Sequence, residues 1–139
     1  MRISRVNHVG VLVEDLDAAL AGFRDHLGLP LEHTERYGDE LDIAFLPCGD
    51  TQVELIRPLK AAGDNADWLR RNGPGIQHVA FEVDDLEATL DELDERGVRL
   101  LGDAPRPGAG NTIIAFLAPE QFGGILVELC QPLAGADRR

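Results

Sequence analysis

An α+β fold of two tandem βαβββ modules is predicted by three observations on this 139-residue chain. First, His8-Val9-Gly10-Val11-Leu12-Val13-Glu14-Asp15-Leu16-Asp17-Ala18-Ala19-Leu20 returns 70 residues later as His78-Val79-Ala80-Phe81-Glu82-Val83-Asp84-Asp85-Leu86-Glu87-Ala88-Thr89-Leu90, with seven of thirteen positions identical. Second, each copy closes on a shared signature, Glu54-Leu55-Ile56-Arg57-Pro58-Leu59 and then Glu128-Leu129-Cys130-Gln131-Pro132-Leu133. Third, the apolar period switches within each copy from two to 3.6 and back to two, the mark of strand, helix, then strands. One module is written twice.

In copy one, residues 6–13 alternate and are rich in valine, as a half-buried strand should be. Asp15 offers an N-cap, and Leu16, Ala19, Leu20, Phe23 and Leu27 fall at helical spacing. Gly28 supplies the stop, with Pro30 two residues beyond. Strands follow at about 31–37, 41–47 and 51–58, separated by turn signals at Gly38-Asp39 and Cys48-Gly49-Asp50. Copy two repeats the order: a strand at 76–83, a cap at Asp85, a helix carrying Leu86, Leu90 and Leu93 that ends at Gly97, then strands near 98–101, 111–118 and 123–131. The chain reads as a single domain over 1–139, with module one at about 4–59, a connector at 60–75 and module two at 76–133. The connector carries a short helix around Ala66 to Arg71, and 134–139 reads as a frayed tail.

Composition narrows the function. Hydrophobic content of 44% and charged content of 27% are ordinary for a soluble globular protein. A formal charge of −12 excludes the broad basic footprint of a nucleic-acid binder and disfavours anionic membranes. An anionic small substrate stays open, because a bound cation supplies local positive charge that net charge ignores. No apolar run approaches the roughly 20 residues that span a bilayer, and Met1-Arg2-Ile3-Ser4-Arg5 enters a strand directly, so a cytoplasmic location is expected. Cys48 and Cys130 lack metal or redox spacing and read as buried thiols outside any ligand set.

Strand alternation then sorts the side chains. Val9, Val11 and Val13 point toward the helix, leaving His8, Gly10 and Leu12 on the other face. Val79, Phe81 and Val83 do the same, leaving His78, Ala80 and Glu82. Glu54 alternates with Val53 and Leu55, and Glu128 with Val127 and Leu129. A carboxylate in an apolar run is costly to bury without a partner. One strand histidine is ordinary, but a histidine and a glutamate recurring at matching places in a repeat point to one concave sheet lined by all four. Two imidazoles and two carboxylates suit a divalent cation such as Co, Mn, Ni, Zn or Fe(II), with further positions for water or substrate oxygens.

At these residues the chain resembles the vicinal oxygen chelate superfamily over about residues 4–133. Within it the chain is most similar to the methylmalonyl-CoA epimerases, on Asp42-Ile43-Ala44-Phe45-Leu46-Pro47, Gly49 to Leu55, Trp68-Leu69, the run from His78 to Leu86, Glu95 to Leu101, Gly108-Ala109-Gly110 and Gly123 to Leu129. The resemblance implies a curved mixed sheet around a metal-binding cup, a homodimer and an acyl-CoA substrate, and the charge and hydropathy already argue for no nucleic-acid or membrane partner. It places the metal ligands on His8, Glu54, His78 and Glu128, and the catalytic acid/base pair on Glu128 and Asp42. Asp42 is assigned to the same face as Glu54, on the reading that Leu41, Ile43 and Phe45 face the helix. The chain departs from the family pattern at Gln77, where a histidine is common, and at Ala118-Pro119-Glu120-Gln121, where the family tends to carry His-Pro-Lys-Ser. The second departure bears on CoA recognition and leaves the metal site untouched.

The implied activity is epimerisation of a 2-substituted malonyl-CoA thioester by proton abstraction through an enolate that a divalent metal stabilises. Two alternatives keep the same fold: a glyoxalase I-type isomerase acting on a glutathione hemithioacetal, and a metal-free small-molecule binding protein.

Overall fold

Asp15 and Asp85 start their helices in the same way: each side chain accepts a hydrogen bond of 3.0 Å from a backbone N–H three residues on, at Ala18 and Ala88. The computed structural model describes residues 1–133, so the tail expected at 134–139 lies outside the described residues. Its elements are β1 (Ile3–Leu12), α1 (Leu16–Leu20) continued by a π-helical turn (Ala21–His26), β2 (His33–Tyr37), β3 (Leu41–Cys48), β4 (Thr51–Pro58), α2 (Asp64–Asn72), β5 (Gly75–Val83), α3 (Leu86–Glu95), β6 (Leu100–Gly108), β7 (Thr112–Leu117), a 3₁₀ turn (Pro119–Phe122) and β8 (Leu126–Pro132). Strand, helix and three strands occur twice, as the repeat requires.

Three local details differ from the sequence reading. The first helix widens after Leu20, and Leu27 N–H reaches the Gly22 carbonyl at 3.0 Å, five residues back. That extra residue in the turn rotates the stripe, so Leu27 is 71% exposed and Leu29 packs on the core instead. Strand β6 runs on to Gly108, past a register shift between Leu101 and Arg106 that hides its alternation. Gly123 and Gly124 both take positive φ after the 3₁₀ turn, which delays β8 until Leu126.

The described residues pack as two compact units: Met1–His8 with 78–133, and Val9–Gln77. The N-terminal half of β1 thus belongs with the second module, and it carries His8 there. In that unit the strand order is β1-β5-β8-β7-β6, with β5 parallel to β8, and β7 antiparallel to both β8 and β6. One sheet face packs Val83 of β5, Ala115, Leu117, Val127 and Leu129 with Leu86 and Leu93 of α3. The opposite face carries Ala80, Ile114 and Cys130 with Phe116 against them. Leu86 is fully buried, so Leu86→Ala is expected to cost about 3 kcal/mol of unfolding free energy. Urea titration checks this as a lower midpoint with an unchanged slope.

In the other unit the order is β2-β3-β4-β1. Ala44, Leu46 and Leu55, with Val53, pack on Leu16, Ala19, Leu20 and Phe23 of the first helix. Among the described residues no helix is long and apolar enough to cross a membrane.

Candidate metal centre

Alternation along β5 and β8 brings His78, Ala80 and Glu82, and Glu128 and Cys130, to the face away from α3. His8 reaches the same place from β1. His8, His78 and Glu128 are each 5% exposed. Their donor atoms converge: His8 Nε2 lies 3.2 Å from His78 Nε2 and 3.6 Å from Glu128 Oε1, and His78 Nε2 lies 3.2 Å from that same oxygen. The two rings meet edge to face, with centroids 5.3 Å apart.

Those separations fit one cation. With bonds of about 2.1 Å at angles between roughly 90° and 120°, adjacent ligand atoms stand about 3.0–3.6 Å apart. Two imidazole nitrogens and one carboxylate oxygen form a borderline N/O set suited to first-row divalent metals. The donor set therefore fits the group that the repeat suggests.

Burial alone would push the Glu128 carboxyl up. The charge of His8 and hydrogen bonds from both histidines outweigh that, holding it down at about 2. A carboxylate lowered in this way adds stability to the metal-free fold that is fully present above its ordinary value near 4.5. That stability is lost as pH falls toward 2. Metal uptake is expected to weaken toward acid pH for a separate reason, since imidazoles must shed their protons to bind.

Glu54 lies in the other unit, on β4, 7% exposed and opposite Phe45 of β3. Glu128 stands opposite Phe116 of β7 in its own module. The two glutamates occupy equivalent register positions, each opposite a phenylalanine.

Asp42 requires a correction. Residues directly opposite across antiparallel strands share a face, and β3 pairs with β4 so that Phe45 and Ile43 oppose Glu54 and Ile56, while Ala44 and Asp42 oppose Leu55 and Arg57. Because Ala44, Leu46 and Leu55 are the residues on the helix, Asp42 shares the helix face and Ile43 stands on the face of Glu54. The sequence reading chose the wrong parity, since β3 is apolar on both sides and alternation alone could not orient it. Asp42 instead bridges two arginines, with Arg36 Nε at 2.9 Å and Arg57 Nη1 at 3.7 Å. Asp42→Asn is expected to leave turnover within about threefold and to cost at most ~1 kcal/mol of stability, as for a surface ion pair. Steady-state rates alongside a urea midpoint check both halves.

Two contributions went unread in the sequence. Cys130 Sγ lies within 4.8 Å of the His8 and Glu128 donor atoms, so this buried thiol borders the centre. Its signal was available: it stands two residues after Glu128 on one strand, hence on the same face. Asn7 contacts His8, its Oδ1 2.7 Å from Nδ1, and no spacing rule marks it.

Comparison with known proteins adds the family. Residues 7–116 match the model of the Glyoxalase/Bleomycin resistance protein/Dioxygenase superfamily. The chain is 39% identical over 132 residues to an ethylmalonyl-CoA/methylmalonyl-CoA epimerase of Cereibacter sphaeroides, covering 93% of this chain and 98% of that protein. A crystal structure of methylmalonyl-CoA epimerase from Mycobacterium tuberculosis superposes with a TM-score of 0.88 at 38% identity, covering 94% of this chain and 89% of that one. A variant of the Streptomyces coelicolor methylmalonyl-CoA epimerase, in complex with 2-nitronate-propionyl-CoA, gives 0.90 at 31% identity over 96% of this chain and all of its own (100%).

Proposed function

This chain belongs to the Glyoxalase/Bleomycin resistance protein/Dioxygenase superfamily, and we propose that it epimerises C2 of a 2-substituted malonyl-CoA thioester, methylmalonyl-CoA foremost. The observation that carries this reading is the Glu128 carboxylate held against the Nε2 atoms of His8 and His78, 3.2–3.6 Å away. The epimerase relatives supply the substrate class.

In this reading His8, His78 and Glu128 would hold a divalent cation of the Co, Mn, Ni or Zn type. When bound, such a cation would supply Lewis-acid stabilisation to an enolate. The chain's own residues do the rest. Glu128 presents Oε1 to both imidazoles, which leaves Oε2 to accept the C2 proton. Its depressed pKa keeps it ionised at neutral pH and limits its basicity, so abstraction depends on a substrate already acidified between two carbonyl groups. Inversion needs the proton returned on the opposite face, and the position of Asp42 on the helix face of β3 removes it from that role. The nitronate ligand of the Streptomyces relative is a planar anion shaped like such an enolate.

The test is loss of deuterium from C2-labelled methylmalonyl-CoA, run beside conversion of a glutathione hemithioacetal and with elemental analysis of the same protein. Exchange at the thioester with a silent hemithioacetal supports the epimerase. The reverse pattern makes the chain a glyoxalase I-type isomerase, and silence on both with tight binding of an organic ligand makes it a metal-free binding protein. A cytoplasmic location and a homodimer accompany this reading. Cell fractionation and sedimentation test them.

A further inference from the structure

Behind the candidate centre lies a buried polar chain that the proposed mechanism does not use. Glu82 is fully buried on β5 (0% exposed). Its Oε1 accepts from Arg5 Nε at 3.2 Å and Nη2 at 3.1 Å, and from Asn7 Nδ2 at 3.0 Å. The other end of the Asn7 amide, Oδ1, stands 2.7 Å from His8 Nδ1. All four residues lie in one compact unit.

We infer that Glu82 and Asn7 are positioning residues that lock His8 in the tautomer able to bind a metal through Nε2. The argument is one of donors and acceptors. A carboxylate oxygen already accepting from a guanidinium can only accept again, so the Asn7 atom facing it is the NH₂ group. The amide's oxygen is then turned toward His8, and an oxygen can only accept, so His8 Nδ1 must carry the proton. In the neutral ring the lone pair therefore sits on Nε2, the nitrogen aimed at His78 and Glu128. Arg5 fixes Glu82, Glu82 fixes the flip of Asn7, and Asn7 fixes the imidazole. This also accounts for a charged side chain buried at a strand position where Ala80, two residues earlier, is apolar.

This inference rests on the metal reading only for its purpose, so its test separates the two. Ring ¹⁵N shifts of metal-free protein report which nitrogen of neutral His8 is protonated. The expected result is Nδ1–H in the native protein and a gain of the Nε2–H form in Asn7→Leu, with Asn7→Asp, which keeps an acceptor oxygen, restoring Nδ1–H. Direct Co²⁺ titration is expected to show 10–100-fold weaker binding in Asn7→Leu, near-native binding in Asn7→Asp, and a loss in the same direction in Glu82→Leu, which removes the acceptor that sets the amide. If Asn7→Leu does not fold, Asn7→Ala is read by the same two measurements. Native His8 found with its proton on Nε2, or variants with unchanged tautomer and Co²⁺ affinity, overturns the inference. Native protein that shows the Nδ1–H tautomer yet binds no Co²⁺ overturns the metal reading instead and leaves the relay standing.

Discussion

Glu128→Gln is expected to slow loss of deuterium from C2 of methylmalonyl-CoA by at least about a thousandfold, within the range for removing a positioned base. The substitution keeps the size of a side chain that is 5% exposed, so the packing of β8 between β5 and β7 survives. It keeps a carbonyl oxygen for the two histidines but removes the group that takes the proton. The loss should therefore appear in kcat far more than in KM, since the substrate's binding atoms are untouched. Metal content is expected to drop less than activity, because a neutral amide oxygen still ligates. A variant with native circular dichroism and more than about a tenth of native kcat would show that Glu128 is not the base.

Metal removal is the second large effect. Dialysis against a strong chelator is expected to abolish exchange, and Co²⁺ or Mn²⁺ to restore it. The physical reason is the spacing of the three donors: two imidazoles and a carboxylate oxygen at 3.2–3.6 Å make an expensive cluster unless a cation or shared protons hold it. Elemental analysis should find about one metal per chain in native protein and less than a tenth of that in His78→Ala. If chelated protein, shown by analysis to be metal-free, exchanged deuterium at the untreated rate, the enolate would need another source of stabilisation. The mechanism would then fall.

Much of this centre was legible before any coordinates. His8 and His78 stand on strands whose other face is valine-rich, and period-two alternation with duplication sufficed to select them. Glu128 came with the second signature. The reading failed where alternation carried no information. Strand β3 is apolar on both faces, since Ile43 and Phe45 are as buried as Ala44 and Leu46, so the parity of Asp42 was undetermined until its partners on β4 were known. Leu27 failed for a related reason: an extra residue in a π-helical turn breaks the 3.6 period that selected it.

What the amino-acid sequence determined by itself was the module: two helices capped alike by aspartate, four strands in each copy, and a histidine and a glutamate in each copy on the face away from its helix. These follow from local rules, in which a side chain's direction depends only on its neighbours in the chain. What only the tertiary structure decided was company. The grouping of Met1–His8 with the second module brings His8 to His78 and Glu128, places Cys130 at their border, and lets Asn7 and Glu82, 75 residues apart, share a hydrogen bond. Such contacts are made between strands, where register and pairing select the partner, and no periodicity within a single strand encodes them.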